Sequence, residues 1–167
     1  MGGCTVVSRE SANLAVNPFT KEETLAQVPQ QAPFRFIDAI IELDEDHIVA
    51  QYTFREDENF YRGHFPGNPI TPGVILTETM AQAGVVALGI YLVSTEEKGR
   101  DALENLLTIF TDATVDFTGT VLPGQRVTTT GTKKFFRRRK LSCDVTMTLD
   151  DGTVVASGTV SGMGVPR

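Results

Sequence analysis

The chain has 167 residues, 41% of them hydrophobic and 22% charged, and a formal net charge of −6. That length allows one domain with a sizeable core, and the composition is that of an ordinary globular protein. The acidic balance argues against general nucleic-acid binding. Two cysteines, Cys4 and Cys143, form no metal or redox motif, so a reduced, cytoplasmic setting is expected.

Residues 1–19 read as an arm without periodicity, with Leu14, Val16 and Phe19 as candidates to dock on a neighbour. The arm lacks the continuous apolar core of a signal peptide. Gly2 is followed by Val6 where a myristoylation site has Ser or Thr. Residues 20–167 read as a single domain. Thr20-Lys-Glu-Glu23 has the form of a capping box and predicts a short helix to about Val28, ended by Pro29. Ile37–Leu43 and His47–Phe54 are rich in β-branched residues and predict two strands around an Asp44-Glu-Asp46 turn. His47 reads as an ordinary strand residue.

The stretch from Tyr61 to Val93 carries the chemistry. It begins as a loop in which Gly63, Gly67 and Gly73 alternate with Pro66, Pro69 and Pro72, so the backbone is both stiff and sharply turned. It continues, from Gly73 to Val93, as a proline-free segment apolar on nearly every side, a helix of roughly 31 Å. Such a helix is a core helix or a membrane span. Thr77, Glu78, Thr79 and Gln82 interrupt the apolar run and favour the core. Ala81, Ala83, Gly84, Ala87 and Gly89 leave room for a sheet to wrap closely. Glu78 is then a carboxyl in a dry place, where desolvation favours the neutral acid, and Gln82, one turn on, is placed to hydrogen-bond to it. The helix start presents free N–H groups and the positive end of a dipole. His64, in the loop, is fourteen residues before Glu78. An imidazole, a neutral acid and an oxyanion site are suited to taking a proton from carbon beside a carbonyl while protonating a leaving group.

Ser94–Asn105 is polar and reads as surface. Leu106–Phe117 predicts a strand, and Pro123-Gly124 a turn. Arg126–Phe136 and Lys140–Leu149 predict a long hairpin. Asp151-Gly152 turns the chain into a last strand, Val154–Met163. Strands before and after one central helix give an α+β order. Lys133, Lys134, Arg137, Arg138, Arg139 and Lys140 fall around the hairpin tip. Two readings of that basic run stay open: a docking patch for an acidic partner, or an edge that repels strand pairing. Cys143 reads as a small core residue. For Phe34, Phe36, Phe60 and Phe65, core packing and the lining of an apolar tunnel are both open.

The run GHFPGNPITPGVILTETMAQ, Gly63 to Gln82, closely resembles the signature of the β-hydroxyacyl-acyl carrier protein dehydratases, the FabZ type within the FabA/FabZ group. The acid is glutamate, as in the FabZ type. The resemblance runs from about Pro29 to Val160 and implies a hotdog fold, a curved antiparallel sheet wrapped around the helix. It also implies a homodimer in which His64 of one subunit faces Glu78 of the other, with a trimer of dimers as a further possibility. The implied reaction is dehydration of a (3R)-3-hydroxyacyl chain on acyl carrier protein to the trans-2-enoyl form, in fatty acid biosynthesis. His64 would be the base, Glu78 the acid, Gly73 the oxyanion N–H and Gln82 their support. No metal or other cofactor is implied, no nucleic acid and no membrane insertion; acyl carrier protein is the partner the basic run would dock. The chain departs from the family at Gln30-Gln31, where a His-Arg pair is common, at Thr118–Thr120 and at Gln125. The alternatives are a dehydratase of a secondary polyene or polyketide pathway, a hotdog thioesterase, and a non-catalytic acyl-carrier-binding subunit.

Overall fold

The computed structural model describes residues 17–96 and 98–167. Leu14 and Val16 lie outside the described residues. Six strands, β1 (Ala39–Leu43), β2 (His47–Thr53), β3 (Leu106–Phe117), β4 (Arg126–Arg137), β5 (Lys140–Leu149) and β6 (Val154–Pro166), form one sheet in the order β1-β2-β4-β5-β6-β3. Every neighbouring pair is antiparallel. The sheet curves around the central helix, Gly73–Ser94, in the hotdog arrangement.

Alternation decides which face turns inward. On β2, Ile48, Ala50 and Tyr52 are buried while His47, Val49, Gln51 and Thr53 are only partly so. On β5, Leu141, Cys143, Val145 and Met147 point into the core. The helix meets them with Leu76, Met80, Ala83, Ala87 and Leu88. Its length and composition would allow a membrane crossing, but 67% of its apolar window is buried inside the fold, so the sheet covers it.

The helix is not uniform. Its middle turn, Gln82–Ala87, is π-helical, which nothing in the residue pattern announced. Here it comes closest to the sheet. A Cβ on Gly131 of β4 would sit 3.0 Å from the Gly84 Cα, and a Cβ on Gly84 would sit 2.8 Å from Val145 Cγ1. The Cys143 thiol donates to the Gly84 carbonyl at 2.9 Å, and burial pushes that thiol up to about 12. Cys143 is therefore a packed core group rather than a reactive one.

The capping box at Thr20 forms as expected, with the Thr20 hydroxyl accepting from the Glu23 N–H and the Glu23 carboxylate accepting from the Thr20 N–H, and the helix runs Lys21–Gln27. Phe19 packs against the core beneath the Arg100 guanidinium, 4.3 Å from its ring, and its N–H donates to the Ser94 hydroxyl. That contact corrects the surface reading at the start of Ser94–Asn105: Ser94 is buried, because its hydroxyl donates to the Tyr91 carbonyl and accepts from Phe19, whereas most of the rest is exposed, with Gly99–Leu103 forming a short helix. His47 is more engaged than a plain strand residue, with its ring nitrogens 3.0 Å from Glu42 and 2.8 Å from Asp44. Strand β3 is one edge of the sheet and leaves Leu107, Ile109, Phe110 and Phe117 at 40–49% exposure.

Gly131→Val tests the close approach. Valine suits a strand better than glycine, yet its side chain would press on the Gly84 backbone and on Ile48. The expected result is a loss of about 1–3 kcal/mol in urea unfolding, the usual cost of overpacking.

Candidate active site

The loop that carries His64 is closed at both ends by the fold. A 3-10 turn, Asn59–Arg62, leads into it, and the His64 N–H bonds back to the Phe60 carbonyl at 2.9 Å. At the base, the buried Tyr61 hydroxyl meets the Thr71 hydroxyl at 2.6 Å, and the Thr71 N–H donates to Val121 at 2.8 Å. The approach segment is held to β2 by Arg55, which donates to Tyr52 and Asp38, while the Tyr52 hydroxyl donates to Glu58. Phe65 adopts φ 64, a left-handed conformation unusual for a bulky residue, immediately after the histidine.

The His64 Nδ1 lies 2.8 Å from the Ile70 carbonyl oxygen. A carbonyl only accepts, so Nδ1 carries hydrogen and the neutral ring keeps its lone pair on Nε2. The loop thus selects the tautomer in which Nε2 is free to accept a proton.

The helix supplies the other half. Gly73 opens it, and among the described residues no acceptor faces the Gly73 or Val74 N–H. The Phe117 ring stands 3.1–3.3 Å from where a Gly73 side chain would begin, so a side chain here would have to push that ring aside. Glu78 is half-buried one turn further on. Its Oε1 accepts from Gln82 Nε2 at 2.8 Å. Gln82 is fully buried and cannot reverse: its Oε1 accepts from the Phe36 N–H at 2.7 Å, and its Nε2 also donates to the Phe34 carbonyl at 2.9 Å. Burial pushes the Glu78 carboxyl above its ordinary range, and the weaker opposing pull of the Gln82 hydrogen bond does not restore it.

Glu78 opens onto a cavity of about 30 Å³ lined by Gln30, Ala81, Val85, Val86, Thr108 and Phe110. His64 is not among its lining residues, so one chain does not bring His64 to this cavity. Nor do any of the six cations of the basic run reach it. Arg137 and Lys140 flank the hairpin tip, with Arg138 and Arg139 in the turn at φ 50 and 61, while Lys133 and Lys134 lie within β4. Lys133, Lys134 and Lys140 face Asp46, Asp144 and Asp112 at 3.1, 3.1 and 3.6 Å. A second cavity, about 130 Å³, reaches from Val85 and Thr108 past Gly89 to Arg139. Of the four phenylalanines left open, Phe36 is core, stacked edge-on with Tyr52 at 5.4 Å, and Phe34 and Phe65 are more than half exposed. The phenylalanine that borders Glu78 is Phe110, which strand alternation alone did not single out. The backbone partners of Gln82 and the Tyr61–Thr71 clasp carried no sequence signal either.

A family profile described as a FabA-like domain matches residues 28–159. The chain belongs to the FabA-like family. Among curated relatives, the 3-hydroxyacyl-[acyl-carrier-protein] dehydratase FabZ of Streptococcus pyogenes serotype M5 is 35% identical over 141 residues, covering 83% of this chain and 94% of that one. The protein of the same name from Xanthomonas oryzae pv. oryzae is 38% identical over 109 residues, covering 64% and 67%. Among solved structures, thioesterase HI1161 of Haemophilus influenzae superposes with a TM-score of 0.63 at 17% identity, covering 92% and 95%. A hypothetical thioesterase of Streptococcus pneumoniae with coenzyme A gives 0.53 at 16%, covering 77% and 85%. At that identity the structural likeness concerns the fold alone. The family match contains His64, Gly73, Glu78 and Gln82 within its span.

A carboxyl with a raised folded-state pKa binds its proton more tightly folded than unfolded. Stability from Glu78 is therefore fully present below the ordinary value of 4.5 and is lost as pH rises through the folded value. Glu78→Gln removes that loss. In urea unfolding from pH 4 to 8, the variant is expected to gain on the wild type as pH rises, with no relative gain at the acid end.

Proposed function

We propose that the protein dehydrates a (3R)-3-hydroxyacyl thioester on acyl carrier protein to the trans-2-enoyl thioester, the FabZ-type reaction of fatty acid biosynthesis, in the cytoplasm. The observation that carries this reading is the Glu78 carboxyl, pushed upward by burial and held by Gln82, on the same helix whose first N–H is open at Gly73. The identity to the FabZ relatives supports it independently.

His64 Nε2 takes the proton from C2, and the developing charge on the thioester oxygen is met by the Gly73 N–H. Electrons from the C2–H bond form the C2=C3 double bond. The C3–O bond breaks as Glu78 gives its proton to the leaving hydroxyl, and water departs. Exchange with solvent then removes the proton from His64 and returns one to Glu78. The thioester itself acidifies C2, so the scheme calls for no metal or organic cofactor. Because His64 lies outside the Glu78 cavity, a second copy of the chain would bring its His64 there. The open β3 edge, with Leu107, Ile109 and Phe110 exposed, suits continuation of the sheet into that copy.

The test is mass-spectrometric analysis of products from 3-hydroxyacyl carrier proteins, with a thiol trap present. The expected product is the enoyl thioester, and His64→Ala and Glu78→Gln each lower turnover by roughly 10²–10⁴-fold. Release of free thiol would instead indicate a thioesterase, and wild-type turnover by either variant would remove the assigned roles.

Carrier protein would dock at the hairpin tip. Arg137, Arg138 and Arg139 have no carboxylate within ion-pair distance among the described residues, so their charge remains available to an acidic partner. Charge reversal of Arg137 and Arg138 together is expected to raise KM for carrier-bound substrate about tenfold and to flatten its salt dependence. KM for a small acyl thioester without the carrier should not change.

A further inference from the structure

Gln30 stands where the resembling family commonly has histidine, and the scheme above gives it no role. Its side-chain carbonyl is fully enclosed, yet it accepts no hydrogen bond from any described residue. An enclosed acceptor left without a donor costs about 1–3 kcal/mol, so such groups call for an explanation. The same side chain lines the 30 Å³ cavity onto which Glu78 opens. Among the described residues, Thr108 is the only other polar one there.

A group able to supply the donor that Gln30 lacks lines the same cavity. A neutral carboxyl has one O–H to give and two oxygens that accept. Glu78 Oε1 already accepts from Gln82, whose two amide hydrogens are committed to Glu78 and to the Phe34 carbonyl. Gln82 therefore has no hydrogen left for Gln30. Its oxygen is turned to the Phe36 N–H while its Nε2 faces the carboxyl, so it does not receive the Glu78 proton either. An unmatched donor and an unmatched acceptor border one small cavity. That cavity has room for a water molecule, which needs about 10–15 Å³.

We propose that the Gln30 carbonyl accepts the acid proton of Glu78, directly or through one water held between them, and so fixes the direction in which that O–H points. Gln30 is then a positioning residue that acts through Glu78. Two amides grip the carboxyl from opposite sides: Gln82 donates to one oxygen, and Gln30 receives from the other. The role for Glu78 rests on the dehydratase reading, but the hydrogen bond itself does not.

The experiment uses the full chain and infrared difference spectroscopy. The carbonyl stretch of the protonated Glu78 carboxyl is assigned by its disappearance in Glu78→Gln. Gln30→Leu keeps the volume and removes the acceptor, Gln30→Met does so without branching, and Gln30→His restores an acceptor nitrogen. The band is expected to move to higher wavenumber in the Leu and Met variants, as for an acid whose O–H has lost its partner, and to return towards its wild-type position in the His variant. In turnover, kcat is expected to fall roughly tenfold in the Leu and Met variants, the effect of one lost hydrogen bond, with KM within twofold and partial recovery in the His variant. An unmoved band in both Leu and Met variants would overturn the inference. So would equal kcat losses in the Leu, Met and His variants. If Glu78→Gln itself retains full activity, the dehydratase reading fails, while the band still decides the Gln30–Glu78 hydrogen bond.

Discussion

One buried amide ties the candidate site to the fold. Gln82 is inaccessible to solvent and spans three structures at once: the backbone at Phe34 and Phe36, the central helix, and the Glu78 carboxyl. In a low-dielectric interior each of these bonds is strong, and each would leave a costly orphan if broken. The arrangement is over-determined, because the amide can satisfy Phe34 and Phe36 only in the orientation that also offers an N–H to Glu78. A segment remote in sequence therefore sets the position of the acid.

That constraint depends on packing. Burial raises the Glu78 pKa because the helix is drawn deep into the sheet, and the helix can enter that far because Gly84 and Gly131 bring two backbones nearly into contact. The π-helical turn begins at Gln82 itself. The turn that presses the helix onto the sheet is also the one that carries the amide. His64 is controlled in a different way, through its own loop, where the Ile70 carbonyl chooses the tautomer and the Tyr61–Thr71 contact holds the loop ends together. Glu78 and His64 are thus positioned by separate devices.

Much of the fold was legible in the residues. Strand β2 alternates cleanly between buried and partly buried positions, the capping box at Thr20 predicted its helix, and the bounds of β3 and β5 follow from their flanking turns. The burial of Glu78 and its bond to Gln82 followed from helical spacing. What stayed hidden depends on tertiary contacts that no local pattern encodes. The π turn, the Gly84–Gly131 approach and the backbone partners of Gln82 bring together residues far apart in sequence. Ser94 looked like surface because a serine after a helix usually is; here the Phe19 N–H and the Tyr91 carbonyl satisfy its hydroxyl inside the fold. Gln30 gave no signal beyond its difference from the resembling family, since only the cavity shows what it borders.

The account rests on a site divided between two copies, with Glu78 of one chain served by His64 of the other. Complementation between inactive variants tests this directly. His64→Ala and Glu78→Gln chains are unfolded together, refolded as a mixture and assayed for turnover. If the site is shared, each mixed dimer contains one site with both groups intact, and random pairing restores about a quarter of wild-type activity. If mixed dimers form and activity stays at the level of the separate variants, the two groups work within a single chain and the account is wrong.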